Sequence, residues 1–291
     1  MILVHGGVGA VTPDRMERVR QGLRAAAAAG HALLERGGGA LDAVVAAVRH
    51  LEDDPEFGAG FGSALTRDGT VETCASVMDG TKRRAGAVAA APNLAAPVIV
   101  ARAMLERGEQ VLMAGPGALN FAHEIGLDPV KEGALVTPHA QQALRDALAA
   151  GSKASTDGGG VGAVARDKNG HFAAATSTGG TIGRRPGVVD DASIPGVGTW
   201  ADETCAVSTS GGEALYRIAL AHNIALRVSK GESQRTATKH ALQELRELFP
   251  LALAGAIAVD KNSWSALQMG PAMPCAWIDD VGPNEAIGFP L

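Results

Sequence analysis

Apolar positions along the chain divide it into short β-type runs and longer helical ones. Residues 2–4 are apolar and break into the glycine loop His5-Gly6-Gly7-Val8-Gly9, the pattern of a buried strand ending in a tight loop. Pro13, between Thr12 and Asp14, marks a helix start, and the Ala-, Leu- and Arg-rich stretch 15–34 runs to a stop at Gly37-Gly38-Gly39. Leu41, Val44, Val45, Val48 and Leu51 fall at i, i+3, i+4, i+7 and i+10, which gives a second helix one buried face. From Ser63 to Val77 the pattern turns to β, with Asp68-Gly69 predicting a hairpin turn between Leu65-Thr66 and Val71-Glu72. Helices are predicted over 96–107 and, more weakly, over 140–150.

Residues 129–159 have weak periodicity and end in Gly151-Ser152-Lys153-Ala154-Ser155-Thr156-Asp157-Gly158-Gly159, a linker composition. Strands return at 161–165 and 172–177 around Asp167-Lys168-Asn169-Gly170, a hairpin signal. Residues 206–209 predict a strand feeding Ser210-Gly211-Gly212 and a helix from Glu213. Another helix ends over 241–248, and a last hairpin joins 256–259 to 264–268. Hairpins between helix pairs exclude a simple doubly wound parallel sheet, whose strands need crossover connections. The expected class is α+β, two antiparallel sheets packed together with helices outside.

The chain of 291 residues is 46% hydrophobic, enough to bury a sizeable core, but only 3% aromatic, so Ala, Val and Leu must fill it. Net charge is −5 and the basic runs are as short as Lys82-Arg83-Arg84, which argues against a nucleic-acid partner. Cys74, Cys205 and Cys275 are too scattered for a disulfide framework or zinc site and are read as small buried residues, in keeping with a reducing compartment. With neither a signal-like N-terminus nor a long apolar run, the expected location is cytoplasmic, without membrane insertion.

Chemistry is sparse at first reading. The opening glycine loop lacks the spacing and the Lys of a phosphate-binding fingerprint, and the histidines form no metal-ligand pair. His5 is read as a structural hydrogen-bonding residue. Residues 51–63, with four acids, a proline and three glycines before Ser63, are either a solvated loop or a backbone-carbonyl site for a hard cation.

The stretches His5-Gly6-Gly7, Ala40-Leu41-Asp42-Ala43-Val44, Leu51-Glu52-Asp53-Asp54-Pro55, Asp68-Gly69-Thr70-Val71-Glu72 and Val77-Met78-Asp79-Gly80 recur in a familiar order. Arg84-Ala85-Gly86-Ala87-Val88-Ala89, Val161-Gly162-Ala163-Val164-Ala165 and Ala175-Thr176-Ser177-Thr178-Gly179-Gly180 follow. Over nearly the whole chain this resembles the plant-type asparaginase/isoaspartyl peptidase family of N-terminal-nucleophile hydrolases. The resemblance implies a four-layer αββα sandwich in residues 1–291, with an α-subunit-like part (1–159) and a β-subunit-like part (160–291). It implies a homodimer, a small amide or β-aspartyl dipeptide as substrate, and no organic cofactor. It also implies a structural sodium ion on the backbone carbonyls of Leu51, Glu52, Asp54, Phe57, Ala59 and Phe61.

That family cuts its own chain before a threonine, whose freed α-amine then serves as base for the hydroxyl of the same residue. Here the cut would fall between Gly159 and Gly160, and Gly160 stands at the nucleophile position with no hydroxyl. Further departures accompany it. Val188 occupies the position of a carboxylate-binding Arg, Gly58 that of an Asn, and Cys74 that of an Asp, while Ser210 replaces a glycine of the oxyanion segment. Thr178 matches the threonine supporting the nucleophile, and Asp191 and Gly212 fall where the substrate is held. The Thr209 hydroxyl and Ser210 N–H are the remaining oxyanion donors. Three readings follow: a trapped amidohydrolase precursor, a non-catalytic relative with a binding or structural role, and a hydrolase with another substrate or nucleophile. For the last, Thr156, Ser177 and Thr178 are the nearby hydroxyls.

Overall fold

The computed structural model describes residues 1–151 and 159–291. A large sheet contains β1 (Ile2–His5), β2 (Glu72–Asp79), β3 (Arg84–Pro92), β4 (Leu112–Ala114), β5 (Val161–Arg166), β6 (Phe172–Thr178), β11 (Cys275–Asp279) and β12 (Gly282–Ala286). Its order is β12-β11-β1-β5-β6-β2-β3-β4, so the two strands following the linker lie at its centre. The second sheet runs β10-β9-β8-β7, from β7 (Thr199–Ala201), β8 (Cys205–Ser210), β9 (Ala254–Asp260) and β10 (Trp264–Met269). Every pairing is antiparallel except the edge pair β3–β4, which makes the larger sheet mixed.

Side-chain alternation builds three cores from these two sheets. On β5 and β6, Val161, Ala163, Ala165, Ala173 and Ala175 face helices α1 (Pro13–Glu35), α2 (Ala40–Asp53), α3 (Pro97–Arg107) and α4 (Gly115–Glu124). Val164, Phe172 and Ala174 point the other way and meet Ala206, Ile257 and Val259 of the second sheet. Cys205, Val207, Ala256 and Ala258 face α7 (Leu220–Ser229) and α8 (Gln234–Leu248). Helix, sheet, sheet and helix stack as four layers, as expected of the αββα class. α5 (Pro138–Ala149), capped by Thr137, and the short α6 (Glu213–Tyr216) complete the helices among the described residues.

The hairpin expected around Asp68-Gly69 forms only as a turn. Thr66 N donates to the Thr70 carbonyl at 2.9 Å, but no strand precedes it, and β2 pairs instead with β3 and β6. The elements β4, α4, β11 and β12 lie where no strong periodicity announced them. No helix among the described residues is long and apolar enough to cross a membrane. Of the linker expected over 129–159, residues 152–158 lie outside the described residues, and Thr156 with them.

Candidate active site

Gly160 sits at the entry to β5, where the central hairpin brings it against the end of β6. A Cβ at this position would lie 2.5 Å from the Ser177 carbonyl oxygen and 2.8 Å from the Thr178 Cβ, so the backbone here is packed around a missing side chain. Beside it opens a cavity of about 270 Å³, which Gly159, Gly160, Thr178, Thr209, Asp191 and Gly212 all help to line. The structure thus brings together six of the positions singled out from the sequence. Ser210, Val188 and Gly58 do not line it. Gly58 borders a neighbouring cavity and accepts a 2.7 Å bond from Gly179 N, which ties the acidic loop to the end of β6.

The hydroxyls of Ser177 and Thr178, at the end of β6, each take part in a hydrogen bond. Ser177 Oγ donates to Glu52 Oε1 at 2.7 Å, and Thr178 Oγ1 accepts from Gly180 N at 2.9 Å. Thr209 lines the cavity; its Oγ1 donates to the Val197 carbonyl at 3.0 Å, and its own N–H to the Gly198 carbonyl at 2.9 Å. Ser210 Oγ accepts from Val8 N at 3.0 Å and so ties β8 to the opening loop.

His5 makes the most suggestive contact, with Nε2 3.0 Å from Ser208 Oγ. It is not a catalytic dyad. Gly7 N donates to Nδ1 at 3.2 Å, so Nδ1 is the acceptor and Nε2 carries the proton toward Ser208. Complete burial pushes the imidazole down to about 3, which keeps it neutral. Ser208 in turn joins Thr176 at 2.7 Å, Thr199 donates to Thr176 at 2.6 Å, and Thr176 donates to the Gly198 carbonyl. This inter-sheet chain ends at Ser76, which meets Thr199 and the Ala192 carbonyl. Gly162 leaves the room it needs, since a Cβ there would strike Ser208 Oγ and His5 Nε2. Ser208, Thr176, Thr199 and Ser76 went unnoticed in the sequence because a strand hydroxyl facing inward carries no local signal.

The acidic loop is wound tightly. Gly60, at φ +54°, leaves room for the Glu52 carbonyl, and Gly62 for those of Phe57 and Pro55. The Phe57 and Ala59 carbonyls each accept one backbone N–H and keep a second lone pair. These carbonyls fit a hard cation, whereas no cluster of His, Cys, Asp or Glu among the described residues offers side-chain ligands. The Glu52 side chain has a different task. Its Oε1 accepts from Val98 N at 3.0 Å as well as from Ser177, which joins α2, α3 and β6, and burial pushes its carboxyl up to about 8.

Arg184, absent from the sequence reading, organises the cavity wall. Its Nη1 donates to the Val188 carbonyl at 2.6 Å and pairs with Asp190 Oδ2 at 3.1 Å, and its Nη2 donates to the Glu72 carbonyl at 2.6 Å. Cys74 lies behind it, buried, with burial and the Asp190 charge pushing its thiol up to about 11. Asp191 is 7% exposed, and burial followed by the neighbouring Asp190 charge pushes its carboxyl up to about 7.

Two face-to-face sheets between helical layers, with a cavity at the residue that leads into a central strand, are the architecture of the N-terminal-nucleophile hydrolases. Residues 1–280 match the family model described as Asparaginase, and the chain belongs to that family. It is 38% identical over 284 residues to the isoaspartyl peptidase/L-asparaginase of Mus musculus, covering 95% of this chain and 87% of the relative. It is 42% identical over 248 residues to the isoaspartyl peptidase of Salmonella typhimurium, covering 79% of each. The human isoaspartyl peptidase/L-asparaginase is 38% identical over 288 residues, covering 96% of this chain and 93% of the relative.

Proposed function

We propose that this member of an amidohydrolase family remains one uncut chain and binds a small molecule beside Gly160 without hydrolysing it by the threonine route. The single observation that supports this is the glycine itself. Self-cleavage and acyl transfer both need a hydroxyl at that residue, and glycine has none. Among the described residues Ser177 donates to Glu52 and Thr209 to the Val197 carbonyl, Thr178 accepts from Gly180 N, and His5 presents a proton rather than a lone pair to Ser208, so none of these three hydroxyls is paired with a base at the cavity.

The test is a denaturing gel and an intact mass, with ammonia release from asparagine and aspartate release from β-aspartyl dipeptides. One full-length band and no product are expected. Two fragments meeting at the bond between Gly159 and Gly160 would sink the reading. An uncut chain that turns over another amide would favour a hydrolase with a changed nucleophile.

Three further features belong to this reading. A sodium ion on the carbonyls of Leu51, Glu52, Asp54, Phe57, Ala59 and Phe61 would offset their crowded dipoles and pin the loop that holds Gly179. The chain acts in the cytoplasm, in keeping with three free, buried cysteines. It pairs as a homodimer, which light scattering at micromolar concentration checks as twice the chain mass.

A further inference from the structure

The cavity beside Gly160 does not end at its polar walls. Glu213, Ala214, Leu251 and Ala252 line it, and the same four residues line an adjoining apolar trough of about 460 Å³. The divide between the two hollows is low, because the side chains at 214 and 252 are single methyl groups. Beyond it the trough is walled by Leu248, Phe249, Pro250 and Leu251, where α8 runs out. Leu251 is 94% exposed and Leu248 56%. A lone exposed leucine is ordinary, but two on the walls of one apolar hollow beside a polar cavity have the pattern of a ligand groove. The loop that presents them is fixed. Phe249 N donates to the Leu245 carbonyl at 2.8 Å and Ala252 N to the Phe249 carbonyl at 3.0 Å, with Pro250 restricting the turn between them. A groove formed in advance spares a ligand much of the cost of ordering it. The charged residues of the trough, Glu213 and Arg217, are both exposed and opposite in sign, so it suits a neutral group.

We propose that the trough is the second half of the binding site beside Gly160 and selects ligands that join a small polar head to a neutral apolar arm, a short alkyl chain or a single aromatic ring. Leu248, Phe249 and Leu251 receive the arm, which crosses the divide at Ala214 and Ala252. This rests on the ligand-binding reading above and adds its specificity. At about 270 Å³ the polar cavity holds only the head, and each methylene buried in the trough is worth about fourfold in affinity.

Three uncharged probes separate the contributions. Propionamide is a head alone, benzyl alcohol an arm alone, and N-benzylpropionamide joins the two. Calorimetric titration of the full chain should show N-benzylpropionamide binding at least tenfold more tightly than either of the others. Leu248→Ser and Leu251→Ser, at exposed positions that folding tolerates, should each cut that advantage below threefold. Ala252→Leu, which raises the divide, should abolish it. Propionamide bound with no gain from the benzyl group overturns the trough and leaves the ligand-binding reading standing. N-Benzylpropionamide bound no better than benzyl alcohol, or not at all at millimolar concentration, overturns the proposal without needing any variant. If the intact chain is a dimer in light scattering and Leu251→Ser is a monomer, the patch belongs to a second copy and the proposal fails. Benzylamine released from N-benzylpropionamide, with the tenfold preference kept, supports the trough and overturns only the non-hydrolysing reading.

Discussion

The Ser177 carbonyl oxygen faces Gly160 so closely that a Cβ at residue 160 would stand 2.5 Å from it. A threonine therefore does not simply fill a waiting space. Gly160→Thr should remain uncut on a denaturing gel and should lower stability by about 1–3 kcal/mol, the usual cost of overpacking. Efficient cutting in that variant would show that only the hydroxyl was missing and that the chain is a trapped precursor.

Arg184 and Asp190 are both buried and pair at 3.1 Å. Removing the cation strands a carboxylate, so Arg184→Met should cost about 3–5 kcal/mol in urea unfolding. Adding Asp190→Asn should return part of that loss. Two independent, additive losses would mean that the pair is not coupled.

His5 titrates near 3 in the folded chain against about 6.5 when unfolded. Between those values the unfolded state binds the extra proton, so stability is present above 6.5 and is lost as pH falls. From pH 6.5 to 5 this one residue should account for on the order of 2 kcal/mol. His5→Gln, which can still accept from Gly7 and donate to Ser208, should lose correspondingly less stability over the same interval. Equal acid sensitivity in both proteins would contradict the assignment.

Exchange of sodium for a bulky organic cation such as tetramethylammonium should lower the melting temperature by several degrees, by mass action on the loop site. An unchanged melting curve would mean that the loop needs no ion, its internal bonds such as Ala59 N to the Phe57 carbonyl at 2.8 Å being sufficient.

Much of the fold is legible along the chain because its signals are local. The period of α2 survives as a buried face of Val44, Val45, Val48 and Leu51, and the Asp167–Gly170 turn closes the central hairpin. Asp68-Gly69 misled because a turn signal says nothing about whether its flanks find partners. β4, at the sheet edge, carries too few buried residues to leave a pattern.

The sequence by itself determined the family, the layered class and the missing hydroxyl at Gly160, since each depends on residue identity and order. Tertiary structure alone decided which polar groups meet. Thr209 turns to Val197, Ser210 to Val8, and His5 reaches Ser208 across 203 residues of chain. Arg184 is drawn into the wall by Asp190 and Glu72, leaving Asp191 without a side-chain partner. Hydrogen bonds and ion pairs act over about 3 Å of space, a distance that separation along the chain does not encode.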